Sequence, residues 1–304
     1  MDLWIEIVKS FDRTYTYRIL VNFWQFVSDL YIYLILGIVL VAALQPQVHR
    51  LSRLRALRSN RTINILAAAV AGMAAPLSVY LAVPMSASLI AAGLPPAVAV
   101  AFLFACPLID PNLFLLTYGA LGWQIAAARV AAAFVLGFGA GLLYRRFSRY
   151  LPLKPPADLS GVTGRHGGAA EKRSFARACW KQGRFIVKIF SISLLLSAAI
   201  KALVSPQFIN STLGDKGQAS ILVAMVLGIP FYQCGGASIP IMRALYELGM
   251  SHGAILAFFI SGPATKLPAM YAFREGYGLR FLAVFLAYTL AGAYFAGLLF
   301  NIAG

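Results

Sequence analysis

The chain has 304 residues, of which 60% are hydrophobic and only 12% are charged. Soluble domains carry about 25% charged residues, so this composition excludes an ordinary soluble protein and predicts an all-α polytopic membrane protein. The net charge of +16 lies largely in loops beside apolar stretches and comes without an aromatic-basic motif, so we expect no nucleic-acid partner.

The N-terminal part of the chain predicts a surface segment and then a first membrane span. Residues 1–22 place acidic residues before basic ones and lack a long apolar core, which indicates an amphipathic segment rather than a signal peptide. Residues 23–45 form an apolar span that contains Asp29, a carboxylate that could carry a coupling proton or pair with another helix. A loop rich in arginine, 46–61, follows.

Three apolar stretches come next, and prolines interrupt two of them. Residues 62–92 and 95–121 are interrupted, whereas residues 123–144 predict one continuous helix. Either interrupted stretch could be a bent crossing or a re-entrant hairpin, because non-helical backbone breaks both. The polar segment 145–184 contains paired prolines, paired glycines and many basic residues, which are typical of a linker.

The chain after this linker repeats the plan of the chain before it. Apolar stretches cover 185–204, 218–250, 253–275 with a break at Pro263, and 279–302. At an offset of 156 residues, Gly72 falls on Gly228, and no gap is needed across 72–144 and 228–300. The sequence therefore predicts four parts: the amphipathic segment 1–22, a transmembrane repeat 23–144, the basic linker 145–184, and a second transmembrane repeat 185–304.

Charge predicts the topology of the two repeats. The loops 46–61 and 145–184 carry most of the basic residues and should be cytoplasmic. An even number of crossings must then lie between them, so the spans 23–45 and 185–204 run in opposite directions. The sequence therefore predicts two inverted-topology repeats with broken or re-entrant helices, and both chain termini outside.

Breaks at matching positions favour a solute site. Non-helical backbone at membrane depth is tolerated only where it is buried in protein or lines a cavity, and helix ends there can hold a polar solute. A single proline can simply kink a packed helix, but the breaks recur in both repeats. They lie at Pro76, Pro107, Pro111, Pro230 and Pro263.

Opposite charges occupy the same repeat position, because Asp110 falls on Lys266. Equivalent breaks of inverted repeats approach the symmetry axis, where the two charges could form a gate or compensate a charged substrate. A structural salt bridge, or two side chains that reach toward water, explains them equally well. We expect Arg243 to pair with Glu247 one helical turn away, and Lys201 to reach toward the membrane surface.

Polar side chains beside the breaks are the predicted lining of the site. Cys234 follows Pro230 and precedes two glycines, so its thiol has room to bind a soft solute, although free cysteines are also common in apolar cores. The cysteines and histidines show no metal-ligand spacing and no nucleotide-binding loop is present, so we expect neither metal nor cofactor. The remaining candidates are Tyr232, Gln233, Ser78, Tyr80, Asn112, Thr265 and Ser238.

The second repeat also carries a resemblance. Residues 228–235 read Gly-Ile-Pro-Phe-Tyr-Gln-Cys-Gly, residues 238–240 read Ser-Ile-Pro and residues 262–265 read Gly-Pro-Ala-Thr. With these segments the chain resembles the UPF0718 predicted permeases, a group that includes bacterial organoarsenical efflux permeases. The resemblance implies a permease of the bacterial inner membrane. Members often carry Pro-x-Cys-Ser-Cys in the first repeat, where residues 76–80 of this chain read Pro-Leu-Ser-Val-Tyr.

These observations predict an inner-membrane secondary transporter that moves a small solute through a central site between the repeats. The solute implied by the resemblance is an organoarsenical or another thiophilic compound. A channel-like pore and a non-transporting membrane subunit are the alternatives. A membrane enzyme is disfavoured because no nucleophile–base or metal–ligand constellation is evident. The partners are the solute and the lipid bilayer, and assembly into a homo-oligomer is left open.

Overall fold

The structure is a computed structural model that describes residues 17, 19–32, 35–36, 59–75, 79–91, 93–149, 153, 191, 194–214, 217–231 and 236–303. The regular structure in this part of the chain is helical, which confirms the predicted all-α polytopic membrane protein. The helices that precede the linker are α1 (Ile19–Ile32), α2 (Thr62–Ala74), α3 (Val79–Ala91), α4 (Pro96–Ala105), α5 (Pro111–Leu121) and α6 (Trp123–Phe147).

Seven helices are described beyond the linker. They are α7 (Leu194–Leu203), α8 (Pro206–Gly214), α9 (Gln218–Phe231), α10 (Ser238–Glu247), α11 (His252–Thr265), α12 (Leu267–Tyr277) and α13 (Leu279–Ala303). Side-chain caps begin two of them: Ser205 accepts a hydrogen bond from the Phe208 amide, and Ser251 accepts one from the Ala254 amide. Such caps satisfy amides that have no partner within the helix.

Two helices of the described chain are long and apolar enough to cross a membrane unaided. They are α6 and α13, with 25 residues each. Two bent pairs also qualify, α7 with α8 at 98° and α11 with α12 at 51°. The helices α1, α2, α4 and α9 are shorter but apolar. Large apolar side chains such as Val135 and Leu299 are exposed on the outer faces of α6 and α13, as expected where a helix faces lipid.

The helices on the two sides of the linker recur with nearly the same bounds. At the offset of 156 residues, α5 coincides with α12 and α6 coincides with α13, residue for residue. The glycines with positive φ recur too: Gly93 and Gly249 have φ of 91° and 102°, and Gly122 and Gly278 have φ of 85° and 88°. Glycine adopts this conformation without steric cost, so the sequence repeat reproduces the same turns.

Small residues let the helices of each half pack closely. In the first half α4 packs against α2 and α6, and in the second half α11 packs against α9 and α13. Gly141 lies against Ala101 and the Ala97 carbonyl, and the equivalent Gly297 lies against Ala257 and the Gly253 carbonyl. Close backbone approach of this kind is how membrane helices gain van der Waals contact.

The two halves contact each other reciprocally. Helix α3 packs against α12, where the Ser86 and Tyr277 hydroxyls lie 2.6 Å apart, and α10 packs against α5. Because α3 corresponds to α10 and α5 to α12, the same helix pair forms twice, with the two halves exchanged. Helices α6 and α13 also meet, with Leu136 directly against Gly292.

The break predicted at Pro263 lies after Thr265 instead. The sequence places it at Pro263, but α11 continues through Pro263 and ends at Thr265. Proline removes one amide donor and interferes with the carbonyl four residues before it, yet it does not force a helix to stop when packing holds both sides. Every residue from Gly253 to Thr265 is buried, and this packing keeps the helix intact across the proline.

We predict that Gly253→Ala destabilises the protein by about 1–3 kcal/mol, because a methyl group there overlaps the carbonyl oxygen of Gly297. The matched control is Gly292→Ala, whose methyl group meets the flexible side chain of Leu136 rather than backbone. Thermal unfolding of the purified protein in detergent measures both effects. Equal loss in the two variants would contradict the importance of the backbone contact.

Candidate functional site

The first-half break lies between α4 and α5. Helix α4 ends at Ala105, the chain turns at Cys106, Pro107 and Leu108, and α5 begins at Pro111. Cys106, Pro107 and Leu108 are buried. Because buried backbone polar groups need partners, side chains must supply the hydrogen bonds that a continuous helix would have made.

Asp110 caps the helix that follows this break. Its Oδ1 atom accepts a hydrogen bond from the Leu113 amide at 2.8 Å, and Pro111 occupies the first helical position. An aspartate cap followed by proline is a common helix start, because the carboxylate satisfies a free amide and proline has none to satisfy. The structure thus gives Asp110 a capping function within its own half.

Arg129 is a buried cation next to the break between α4 and α5. It projects from α6 and is only 1% exposed. Its Nε donates to the Leu108 carbonyl at 3.3 Å, and its Nη1 donates to the Thr117 hydroxyl at 2.8 Å. Thr117 in turn donates to the Leu113 carbonyl at 2.6 Å. One side chain therefore ties together the break, α5 and α6.

Arg129 also joins the two halves. Its guanidinium carbon lies 4.2 Å from the centroid of the Phe259 ring on α11, a cation–π contact. Pairing of Asp110 with Lys266 stays a prediction.

Arg129 was not among the site residues predicted from the sequence, although a signal was present. It is the single charged residue in the stretch 123–144, and a lone charge inside an apolar span marks either function or a buried polar network. The repeat comparison adds a second signal, because the equivalent position holds Phe285. A position that is charged in one half and aromatic in the other indicates a feature that the halves do not share.

The second-half break is shorter and has different partners. Only Lys266, in extended conformation, separates α11 from α12. Thr265 donates to the Ser261 carbonyl at 3.1 Å and lies 3.4 Å from the Gly262 carbonyl, so hydroxyl bonds supply contacts at the helix end. Lys266 provides no side-chain cap to α12. The Phe285 ring, in the place of Arg129, stacks on Phe273 with centroids 4.1 Å apart.

Glycines hold neighbouring helices against both breaks. A Cβ atom on Gly72 of α2 would lie 2.6 Å from the Phe102 carbonyl oxygen and 3.3 Å from the Cys106 amide. The equivalent Gly228 of α9 lies against Ser261 and Gly262. The same close approach therefore occurs at matching positions, which brings α2 and α9 next to the interrupted helices.

The other predicted site residues are only partly within the described structure. Asn112 lies on α5, and its buried Oδ1 atom has no hydrogen-bond partner in the described part of the chain. Ser238 is buried at the start of α10, near Gly236, which faces Leu116 of α5. Residues outside the description are Pro76, Ser78, Tyr232, Gln233 and Cys234, together with the side chains of Tyr80 and Pro230. The prediction of a break at Pro230 was wrong in its position, because α9 continues through Pro230 to Phe231.

A second charge cluster lies on α1, α7 and α10. Arg243 pairs with Glu247 at 3.0 Å, as predicted, and also with Asp29 at 2.6 Å. Lys201 pairs with Glu247 at 2.5 Å, so the prediction that it only reaches toward the membrane surface was wrong. Glu247, one turn of α10 after Arg243, gives Lys201 an ionic partner within the protein. Asp29 is thus the structural partner of another helix.

The described part of the chain does not contain a group of three potential metal ligands. The arrangement at the first break therefore combines backbone groups, a capping carboxylate and a buried guanidinium. Such an arrangement can hold interrupted helices open within a membrane and present polar groups to a solute.

We predict that Thr117→Val lowers the free energy of unfolding by about 1–3 kcal/mol, because it removes the hydrogen bond from the Arg129 guanidinium. Thr117→Ser keeps the hydroxyl and should remain close to wild type. Unfolding in mixed detergent micelles gives both values. If the valine variant were as stable as the serine variant, the Arg129–Thr117 bond would contribute nothing measurable.

Comparison with known proteins agrees with this architecture. The chain is 22% identical to UPF0718 protein YraQ of Escherichia coli (strain K12) over 244 residues, which cover 80% of this chain and 69% of that protein. It is 24% identical to UPF0718 protein YcgR of Bacillus subtilis (strain 168) over 265 residues, 85% of this chain and 88% of that protein.

A shorter match joins the chain to an archaeal protein, and a family match covers nearly all of it. UPF0718 protein MJ0584 of Methanocaldococcus jannaschii is 24% identical over 133 residues, which are 42% of this chain and 36% of that protein. No solved structure matches the chain. Residues 19–302 match the ArsP_1 family, described as predicted permease. The chain therefore belongs to the ArsP_1 family of predicted permeases and is a multi-pass membrane protein.

Proposed function

We propose that this permease is a secondary transporter that moves a small solute through a central site between two inverted repeats, 23–144 and 185–304. The observation that carries the proposal is the pair of interrupted helices, α4–α5 and α11–α12, at equivalent positions of two halves that contact each other reciprocally. Transporters with this construction bind their solute where interrupted helices of the two repeats meet.

Contacts between α6 and α13 support an inverted relation. Leu136 and Gly292 occupy the same repeat position and face each other. Tyr288, which precedes Gly292, contacts Gly139, which follows Leu136. The residue numbers of one helix therefore rise along the contact while those of the other fall, so α6 and α13 are antiparallel. Two antiparallel helices that cross at a twofold axis make this pattern.

The charge distribution supports the same relation and indicates its orientation. The basic loops 46–61 and 145–184 would lie in the cytoplasm of a bacterium, with the body of the protein in its inner membrane. Helix α6, which ends at the second loop, would run inward. Helix α13 would then run outward, and the C-terminus would lie outside.

Alternating access would come from movement of one set of interrupted helices against the other. In the first half, Arg129 holds the break to α5 and α6 by hydrogen bonds. In the second half, a single residue, Lys266, joins two helices that meet at 51°. A one-residue junction is a natural hinge, because few torsion angles must change. Lys266 and Asp110 remain candidates for charge compensation during this movement.

The proposed solute is an organoarsenical or another thiophilic compound, exported from the cell. The resemblance to a group that includes organoarsenical efflux permeases supports this class, and Cys234 supplies a soft ligand shortly after Pro230. The first repeat offers Ser78 at the position where the group often carries cysteine. Arsenic ligands beyond one thiolate would therefore come from the solute or from water.

Flux into liposomes tests the proposal. We expect saturable, counterflow-stimulated uptake of a trivalent aryl arsenical by the reconstituted full-length chain. Cys234→Ser should reduce this flux about tenfold or more, the effect of losing roughly 1.4 kcal/mol of binding free energy. Cys179→Ser, in the linker, is the matched control and should transport like wild type. Non-saturable flux would indicate a pore, and no flux of any thiophilic or neutral solute would indicate a non-transporting subunit.

Reporter fusions test the inverted topology separately. A fluorescent protein fused after Arg184 should fluoresce in the cytoplasm, and alkaline phosphatase fused after Gly304 should be active outside the inner membrane. The opposite fusions, with the reporters exchanged, are the controls and should be silent. A phosphatase that is active after Arg184 would rule out this topology.

A further inference from the structure

Four charged side chains from three helices form one network away from the interrupted helices. Arg243 of α10 contacts Asp29 of α1 and Glu247 of its own helix, and Glu247 contacts Lys201 of α7. Two cations and two anions therefore alternate along a single chain of contacts. The network is neutral as a whole, which is the condition for keeping charges close to apolar surroundings.

One aromatic ring contacts both cations of the network. Phe26 of α1 is 1% exposed, and the cationic groups of Lys201 and Arg243 each lie 5.4 Å from its ring centroid. Each cation therefore has both a carboxylate and an aromatic face as partners. Because Phe26 and Asp29 lie three residues apart on α1, one face of that helix receives both cations. The network is a built contact between α1, α7 and α10.

The network lies at one end of the helices that carry it. Lys201 precedes the 98° bend between α7 and α8, and Glu247 is the last residue of α10. Helix α8 covers the turn that follows α10, where the Ser251 amide donates to the Leu213 carbonyl at 2.9 Å. In the proposed topology, α7 runs outward from the cytoplasmic linker, so this end is the outer one.

The ion pairs of α10 are not repeated on the equivalent helix α3. The positions equivalent to Arg243 and Glu247 are Ala87 and Ala91, which cannot form ion pairs. In inverted repeats a counterpart would lie at the opposite membrane face. The ion pairs can therefore hold one face of the protein and not the other.

We propose that this network is a latch that holds the outer face closed by fixing α10 to α1 and α7. The inference rests on the proposed function, because it needs two inverted repeats and a central site. Helix α10 is the next described helix after α9 in the second repeat and faces α5, so its release would open the site outward. Partly exposed ion pairs suit this purpose, because water can replace their partners at low cost. Their side chains are 15–38% exposed.

Thiol labelling from each face tests the latch without requiring transport. Ser238→Cys, a near-isosteric change at a buried position of α10, supplies the sole cysteine after Cys106, Cys179 and Cys234 are replaced by alanine. A membrane-impermeant maleimide is added to right-side-out or to inside-out vesicles that contain this full-length chain. The network is then broken by Asp29→Asn, by Arg243→Gln, or by both. Arg274→Gln, which removes an exposed arginine from α12, is the control.

We expect each single change to raise labelling from outside about fivefold or more and to leave or lower labelling from inside. The double variant should resemble the singles, because the two residues act through one contact. Equal increases from both faces would show general loosening and would overturn the latch, as would unchanged outside labelling or additive effects. Labelling can shift in this way even if reconstituted protein transports none of the tested solutes, so the two proposals fail separately.

Discussion

The hydrogen-bond requirement of interrupted backbone inside a membrane governs this structure, and Arg129 answers it in the first half. Lipid offers no partners to free carbonyls and amides, so each break needs its own donors and acceptors. The Arg129 guanidinium donates to Leu108 in the break and to Thr117 on the next helix. A buried guanidinium without such partners would cost several kcal/mol. The break and the buried charge therefore stabilise each other.

The second half satisfies the same requirement with a shorter break and a local hydroxyl hydrogen bond. Its helix continues through Pro263 to Thr265, whose hydroxyl bonds back to the Ser261 carbonyl. Only Lys266 is then left outside a helix, and aromatic stacking on Phe285 occupies the place of the guanidinium. Two halves of one repeated fold have thus reached different local solutions. The first is cross-linked to its neighbours by polar contacts, whereas the second is held by packing.

The sequence predicts the repeated helices well, because apolar length and recurring glycines depend on local properties. The bounds of α6 and α13 and the turns at Gly122 and Gly278 follow from it directly. It misplaces the break near Pro263, because burial of the whole helix outweighs one lost hydrogen bond. It does not predict the contacts of Arg129, because the partners of that guanidinium depend on how α5, α6 and α11 pack. Cys234 and its neighbours remain sequence-based candidates.

The contrast between the halves bears on which of them moves. Arg129 joins α5, α6 and α11, so displacement of α5 from α6 would break the Arg129–Thr117 hydrogen bond. Helices α10 and α12 have no comparable buried guanidinium among the described residues, and α12 begins without a side-chain cap. The ion-pair network attaches α10 to α1 and α7 through partly exposed charges, which exchange partners more readily than buried ones. In the proposed alternating-access cycle, the first half would therefore stay fixed while the second half, held by reversible contacts, would move.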